Sequence, residues 1–325
     1  MSYIIFDDER VELNEGQTVL SALLDRGHKI PNSCRAGICQ TCLMQATEGD
    51  VPETAQAGLK DTLKSQGYFL ACCCEPQTPL HIVASQAEHL RCSADVIEHK
   101  QVSDDILRLR LKPQEAFDYR SGQYITAWKD NTQGRNYSLA SVAELDEHLE
   151  LHIRRIPDGI VSNWLHDEIT TGDTLQIQTA MGHCFYMPDL PEQDILLAGT
   201  GTGLAPLLGI ARDALRQGHS GNIHLVHGAR HVDDLYMHQA LIDMASQYKQ
   251  FHYYANVLQA DDVQAPVSTI PIDQQLINIS VDLADCKIYL CGDADIVNGL
   301  KRKLFLAGAS ISNIYCDPFV SAAND

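Results

Sequence analysis

Cys34-Arg35-Ala36-Gly37-Ile38-Cys39-Gln40-Thr41-Cys42 decides how this chain is read. The spacing is C-x4-C-x2-C, and a further thiol follows at Cys72. Four thiolates spaced in this way hold a [2Fe–2S] cluster. Iron held so does one-electron chemistry. Gly37 suits a backbone that must turn sharply round the cluster and aim its N–H groups at the sulfurs. Cys73 and Cys74 adjoin Cys72, so chemistry alone leaves the fourth ligand open. The rival use of such thiols is a structural zinc site. Zinc favours paired C-x2-C units, and the chain has one.

The composition of the chain sets further bounds. Its 325 residues suffice for two or three domains, and 45% are apolar, so each can bury a core. With 43 acidic and 24 basic residues, the net charge of −19 repels nucleic acid and anionic membranes and suits a partner with a basic docking face. The start, Met1-Ser2-Tyr3-Ile4-Ile5-Phe6, lacks a signal peptide's basic region and long apolar run. No stretch reaches the roughly 20 apolar residues of a membrane span. A soluble, cytoplasmic protein is expected. The eleven cysteines then point to metal ligation plus buried thiols rather than a disulfide framework.

Three units follow one another. Residues 1–88 carry the cysteine loop, with a helix expected from Thr18 to Arg26 and Gly27 closing it. Residues 92–188 alternate with period two: Leu107, Leu109 and Leu111 against Arg108 and Arg110; Leu149, Leu151 and Ile153 against Glu150, His152 and Arg154. That pattern predicts half-exposed antiparallel strands in a barrel or sandwich. Residues 191–325 alternate short apolar strands with helical runs, one of them Asp233–Gln247, which predicts a doubly wound parallel sheet.

Two further motifs sit in these units. Arg135-Asn136-Tyr137-Ser138 offers a charge for phosphate, a ring to stack and a hydroxyl. Gly159-Ile160-Val161-Ser162 opens a helix whose N–H groups suit a pyrophosphate. In the third unit a strand runs into Gly199-Thr200-Gly201-Thr202-Gly203-Leu204-Ala205-Pro206 and then a helix, a phosphate cradle in which Pro206 replaces the usual last glycine.

Residues 34–42, with Tyr68-Phe69-Leu70-Ala71-Cys72 and Pro76, resemble the plant-type ferredoxin module, and that resemblance selects Cys34, Cys39, Cys42 and Cys72 as ligands, with Cys74 as the fallback. The motifs that follow resemble the ferredoxin–NADP⁺ reductase superfamily. The order of the three modules resembles reductase components of bacterial multicomponent oxygenases. The resemblance implies an α+β multidomain protein: a β-grasp ferredoxin domain, a Greek-key antiparallel β-barrel for FAD, and an α/β doubly wound domain for NADH or NADPH. It implies that Arg135 pairs with phosphate, Tyr137 packs on the flavin and Ser138 bonds near its reactive nitrogen, with Asn136 between them. It sets His152, Ile153 and Arg154 on a flanking strand, and Gly159, Val161 and Ser162 at the diphosphate. It places Gly201, Thr202, Gly203, Pro206 and Arg230 at the pyridine nucleotide, with Cys291 and Gly292 beside the nicotinamide. Asp293 stands where relatives carry proline. Asp317, with Phe319, belongs to a C-terminal segment covering the flavin. Ser138, Cys291 and Asp317 are the expected catalytic set. Cys92, Cys184, Cys286 and Cys316 match no ligand pattern and are read as structural. The expected partner is a Rieske or di-iron oxygenase component, or a ferredoxin, with no nucleic acid and no membrane. Three other readings are a reductase of the same build serving a deoxysugar pathway, an iron–sulfur carrier that no longer binds nucleotide, and a zinc-stapled binding protein without redox activity.

Overall fold

The computed structural model describes residues 2–32, 34–37, 40–59, 61–84, 91–259 and 267–319. Cys39, one of the expected ligands, lies outside them.

The first unit is a five-stranded mixed sheet, with β1 (Tyr3–Phe6), β2 (Glu9–Glu12), β3 (Leu43–Glu48), β4 (Tyr68–Leu70) and β5 (Leu80–Ala84) in the order β2-β1-β5-β3-β4. Only β1 and β5 run parallel. One helix, α1 (Val19–Asp25), packs on it through Val19, Leu20, Ala22 and Leu23. Thr18 caps that helix by accepting the Ser21 N–H at 3.2 Å, and Gly27 leaves it at φ +85°. This is the β-grasp arrangement, and it holds the cysteine loop between α1 and β3.

The second unit is antiparallel throughout. Strands β6 (Arg91–Gln101), β7 (Ile106–Pro113), β8 (Tyr124–Trp128), β9 (Gly134–Ser138), β10 (Leu149–Arg154) and β11 (Thr174–Gln178) pair as β10-β7-β6-β11-β8-β9. A bridge between Leu139 and Leu151 joins the two ends, so the sheet closes into a barrel. A bulge after Val96 lets the long β6 bend. The core is Leu107, Leu109, Leu111, Leu149, Leu151 and Ile153 with Val161 and Leu165 of α2 (Ile160–Asp167), as the alternation predicts. The other face of β10 departs from prediction. Glu150 and His152 are buried, because the third unit lies over them.

The third unit is a six-stranded parallel sheet of β12 (Ile195–Thr200), β13 (Ile223–Ala229), β14 (Phe251–Val257), β15 (Val267–Ser268), β16 (Lys287–Asp293) and β17 (Ile314–Phe319). Their order is β15-β14-β13-β12-β16-β17. Helices α3 (Leu204–Arg216), α4 (His238–Gln247), α5 (Ile272–Asn278) and α6 (Ala294–Leu306) connect them. The strand order reverses between β12 and β16, and ligands of such sheets bind beyond the C-terminal ends of the strands at that point. The helical run expected over Asp233–Gln247 is broken. Val232–Asp234 form a single 3₁₀ turn, Met237 turns left-handed at φ +60°, and α4 starts only at His238. Among the described residues no helix is long and apolar enough to cross a membrane.

Candidate functional site

The cysteine loop is shaped by its backbone. Arg35, Gly37 and Gln40 all have positive φ, of 52°, 76° and 54°. Left-handed residues alternating with ordinary ones turn successive N–H groups inward, and such a nest favours an anionic group. The N–H of Ala36 reaches Cys34 Sγ at 3.4 Å, that of Cys72 reaches Cys42 Sγ at 3.5 Å, and that of Gly37 faces the Cys72 thiol. A hydrogen bond donated to the Cys42 sulfur, burial and negative charge on that sulfur push the Cys72 thiol far up in pKa. A metal relieves that cost by replacing the protons. Among the described residues, which exclude Cys39, no three metal-binding side chains gather round one point. Two irons ask for two thiolates each, and the adjoining thiols of Cys42 and Cys72 would suit one of them. Cys73 Sγ lies 3.7 Å from Cys72 Sγ. Cys74 is fully buried in the hydrophobic core, and its carbonyl accepts the Val19 N–H that starts α1. The donor set present therefore fits a [2Fe–2S] cluster. A bridge from Asn32 to Gln133 sets this loop against the β8–β9 hairpin, two residues before Arg135.

Along β9, Arg135, Asn136 and Tyr137 are half-buried, whereas Gly134 and Ser138 are buried. Thr126 donates to Asn136 Oδ1 at 2.8 Å, and Arg135 donates to the Gly134 carbonyl at 2.8 Å. At the head of α2, Gly159 has no room for a side chain, since a Cβ there would meet Ser162 Oγ at 2.6 Å. Ser162 turns its hydroxyl back to accept from the Ile156 N–H at 3.2 Å. Val161 lies in the barrel core.

The C-terminal strand closes on β9. Ser138 Oγ donates to Asp317 Oδ2 at 2.9 Å across 179 residues of sequence. Burial raises the Asp317 carboxyl from the ordinary 3.8 to about 6, and the Ser138 bond offsets only part of that rise. Asp317 pairs across β16 and β17 with Cys291. Cys291 is buried, with its Sγ 3.6 Å from Cys184 Sγ of the barrel unit. Burial first, then that neighbour, keeps the Cys291 thiol protonated. Ser138, Asp317 and Cys291 thus meet at one seam. Cys184, read from sequence as structural, meets them there. No spacing rule links these positions; only the closure of β17 onto the barrel does.

The glycine turn is packed backbone on backbone. A Cβ on Gly203 would sit 2.3 Å from the Cys291 carbonyl oxygen, and one on Gly292 (φ +124°) would sit 3.0 Å from that of Thr200. Gly201 (φ +51°) lies under the Arg154 guanidinium, which pairs with Asp105 at 2.9 Å. Pro206 is in the first turn of α3. Arg230 is exposed at the end of β13. Asp234 caps the turn that follows by accepting the His231 N–H at 2.9 Å. Asp293 caps α6 through the N–H groups of Asp295 and Ile296. Ile153 is in the barrel core, and Phe319 ends β17 half-buried. The side chain of His152 is wholly buried between Glu150 and Tyr236, each at 3.0 Å. Neither Glu150 nor Tyr236 stands out in the sequence. The alternation along 149–154 gives the one sign, setting Glu150 and His152 on a common face.

Comparison with known proteins agrees with this architecture. Residues 5–77 match the 2Fe-2S iron-sulfur cluster binding domain family, residues 93–186 the oxidoreductase FAD-binding domain family and residues 196–302 the oxidoreductase NAD-binding domain family. The chain is 30% identical to the phenol hydroxylase P5 protein of Acinetobacter pittii, over 97% of this chain and 92% of that one. It is 36% identical to the aromatic O-demethylase reductase subunit of Amycolatopsis, over 75% of this chain and 77% of that one. In fold it is similar to the ferredoxin reductase in carbazole 1,9a-dioxygenase, with a TM-score of 0.67, covering 98% of each chain at 24% identity. The chain belongs to the family of iron–sulfur flavoprotein oxidoreductases that join a [2Fe–2S] ferredoxin domain to FAD-binding and NAD-binding domains. It is an electron-transfer oxidoreductase of the reductase-component type.

Proposed function

We propose that this chain is the NADH-dependent reductase component of a multicomponent oxygenase, delivering single electrons to a Rieske or di-iron component or to a ferredoxin. The observation that carries the reading is the Ser138–Asp317 bond, which joins the R-x-Y-S strand of the barrel to the last strand of the nucleotide sheet. It brings the residues proposed for the flavin and for the nicotinamide to one seam. The domains are assigned to 1–88, 92–188 and 191–325, and the protein to the cytoplasm.

Bound together, nicotinamide, FAD and cluster convert paired reducing equivalents into single ones. The chain supplies the alignment. Cys34, Cys39, Cys42 and Cys72 are assigned to the irons; the burial of Cys74 and the Cys42–Cys72 contact support that choice. Arg135 is assigned to the FAD phosphate, Tyr137 to its ring, and the backbone of Gly159 and Val161 to its diphosphate. Gly201, Thr202 and Gly203 at the head of α3 are assigned to the NADH pyrophosphate, and Arg230 to its ribose or phosphate. Asp233 and Asp234, exposed three and four residues after Arg230, disfavour a 2′-phosphate. Ser138 and Asp317 hold a proton between them at the flavin edge.

That proton gives a pH prediction. Asp317 titrates near 6 in the fold and near 3.8 when unfolded. A raised value stabilises the fold at low pH, and the contribution is lost as pH climbs from about 4 through 6. Asp317→Asn removes the dependence. Its melting temperature should match wild type at pH 4, exceed it increasingly up to pH 6, and hold a constant margin above. A constant margin at all pH values would show that Asp317 does not titrate there.

The direct test of the function is an anaerobic titration with NADH, following flavin and cluster bleaching together. Both should bleach before any acceptor is added, and an added oxygenase component should restore their colour. A purified protein holding neither iron nor flavin, or a cluster that NADH leaves oxidised, refutes the reading.

A further inference from the structure

The barrel and the nucleotide sheet meet along a seam with little room to slip. Helix α3 lies so close that a Cβ on Gly209 would sit 2.9 Å from the Leu139 carbonyl oxygen. Besides the Ser138–Asp317 bond, one polar tie crosses the seam at Arg212, which grips Asp146 with two bonds of 2.8 and 2.9 Å. A second crosses it at His152, and it is built differently. Its imidazole is wholly buried and spends one ring nitrogen on each unit: Nε2 on Glu150 Oε1 and Nδ1 on the Tyr236 hydroxyl, both at 3.0 Å.

Neighbours set the direction of the Glu150 bond. Burial pushes the Glu150 carboxyl up, but His152 and Arg110 outweigh it and hold the group down at about 2, so it is an anion and accepts. Arg110 donates to Glu150 at 2.7 Å and is itself tied to Glu98 at 3.2 Å, which also pairs with Arg108. Glu150 therefore cannot swing. Burial keeps Tyr236 protonated. His152 Nε2 thus donates to Glu150, while Nδ1 meets the Tyr236 hydroxyl. Tyr236 lies between the Arg230–Asp234 turn and the left-handed Met237 that starts α4. The bond reaches the very segment that follows the proposed ribose contact.

We propose that His152 is a positioning residue for hydride transfer: bridging Glu150 to Tyr236, it fixes the angle at which the nucleotide sheet presents its ligand to the flavin barrel. The inference rests on the assignment of NADH and FAD to this seam. A small misplacement of reacting groups by a remote residue costs rate rather than affinity.

The test uses the holoprotein and rapid mixing with NADH under anaerobic conditions. Tyr236→Phe and His152→Phe should slow flavin reduction about tenfold or more. The NADH concentration for half-maximal rate should move less than about twofold, and the long-wavelength charge-transfer absorbance of the flavin–nicotinamide complex should weaken. His152→Gln, whose amide donates to Glu150 and accepts from Tyr236, should recover most of both. A lowered melting temperature with unchanged rate and charge-transfer band would leave His152 a merely structural tie and overturn the proposal. So would a rate loss matched by weaker NADH binding, or no recovery in His152→Gln while Tyr236→Phe behaves as wild type. If His152→Phe does not fold, Tyr236→Phe, which removes one hydroxyl, decides alone. Failure of wild type itself to reduce its flavin with NADH would refute the proposed function instead, so the two failures are distinct.

Discussion

Cys72→Ala is expected to strip the visible cluster spectrum from the purified protein while leaving flavin reduction by NADH within about twofold of wild type. The thiol of Cys72 lies against that of Cys42 and beneath the Gly37 N–H. Alanine supplies no ligand, and iron with an open position exchanges with solvent. Loss of a group that merely orients a ligand costs roughly 10–100-fold in metal affinity or activity; loss of the ligand exceeds that. Electron delivery to cytochrome c, an acceptor of single electrons, should fall more than about a hundredfold on the same scale. The barrel and nucleotide sheet have their own cores and so keep their structure. Iron and sulfide analysis with the absorbance spectrum decides the matter. Full iron content with an unaltered spectrum would move the fourth ligand to Cys73 or Cys74.

Gly203→Ala should damage nucleotide use and stability together. Its new Cβ would lie 2.3 Å from the Cys291 oxygen, 2.7 Å from the Cys291 carbonyl carbon and 2.8 Å from Gly292 Cα. All three are backbone atoms, so no side chain can swing aside. The turn has to lift off β16, and overpacking of this kind costs about 1–3 kcal/mol. The lifted turn carries the N–H groups proposed for the pyrophosphate. KM for NADH should rise more than about tenfold, the equivalent of about 1.4 kcal/mol, and the melting temperature should fall by several degrees. The cluster spectrum should be untouched. An unchanged KM would mean that the pyrophosphate is held elsewhere.

Local patterns reached far in this chain. Cysteine spacing marked the cluster loop, and Thr18 and Gly27 marked both ends of α1. Period-two leucines gave β7 and the inner face of β10, and the change to alternating strands and helices gave the parallel sheet. Each signal lies within a few residues of its own backbone, where sterics and hydrogen bonding act directly. The misreadings have the opposite character. Glu150 and His152 looked solvent-facing because polar residues usually are; they are covered by a unit that begins some forty residues later. The helix expected from Asp233 breaks at Met237, where the packing of Leu235 and Tyr236 into the core prevails over local helical preference.

The chain alone determined which chemistries are possible: thiols spaced for iron, a strand with arginine, tyrosine and serine, and a glycine turn before a helix. Those are properties of residue type and short spacing. Tertiary structure decided which of them work together. It brought Ser138 to Asp317, Cys291 to Cys184, and His152 to Tyr236. Such pairs form only when separately folded cores close on one another, and burial then sets their charge and direction. Removal from water acts through space, so it leaves no mark in the order of the residues.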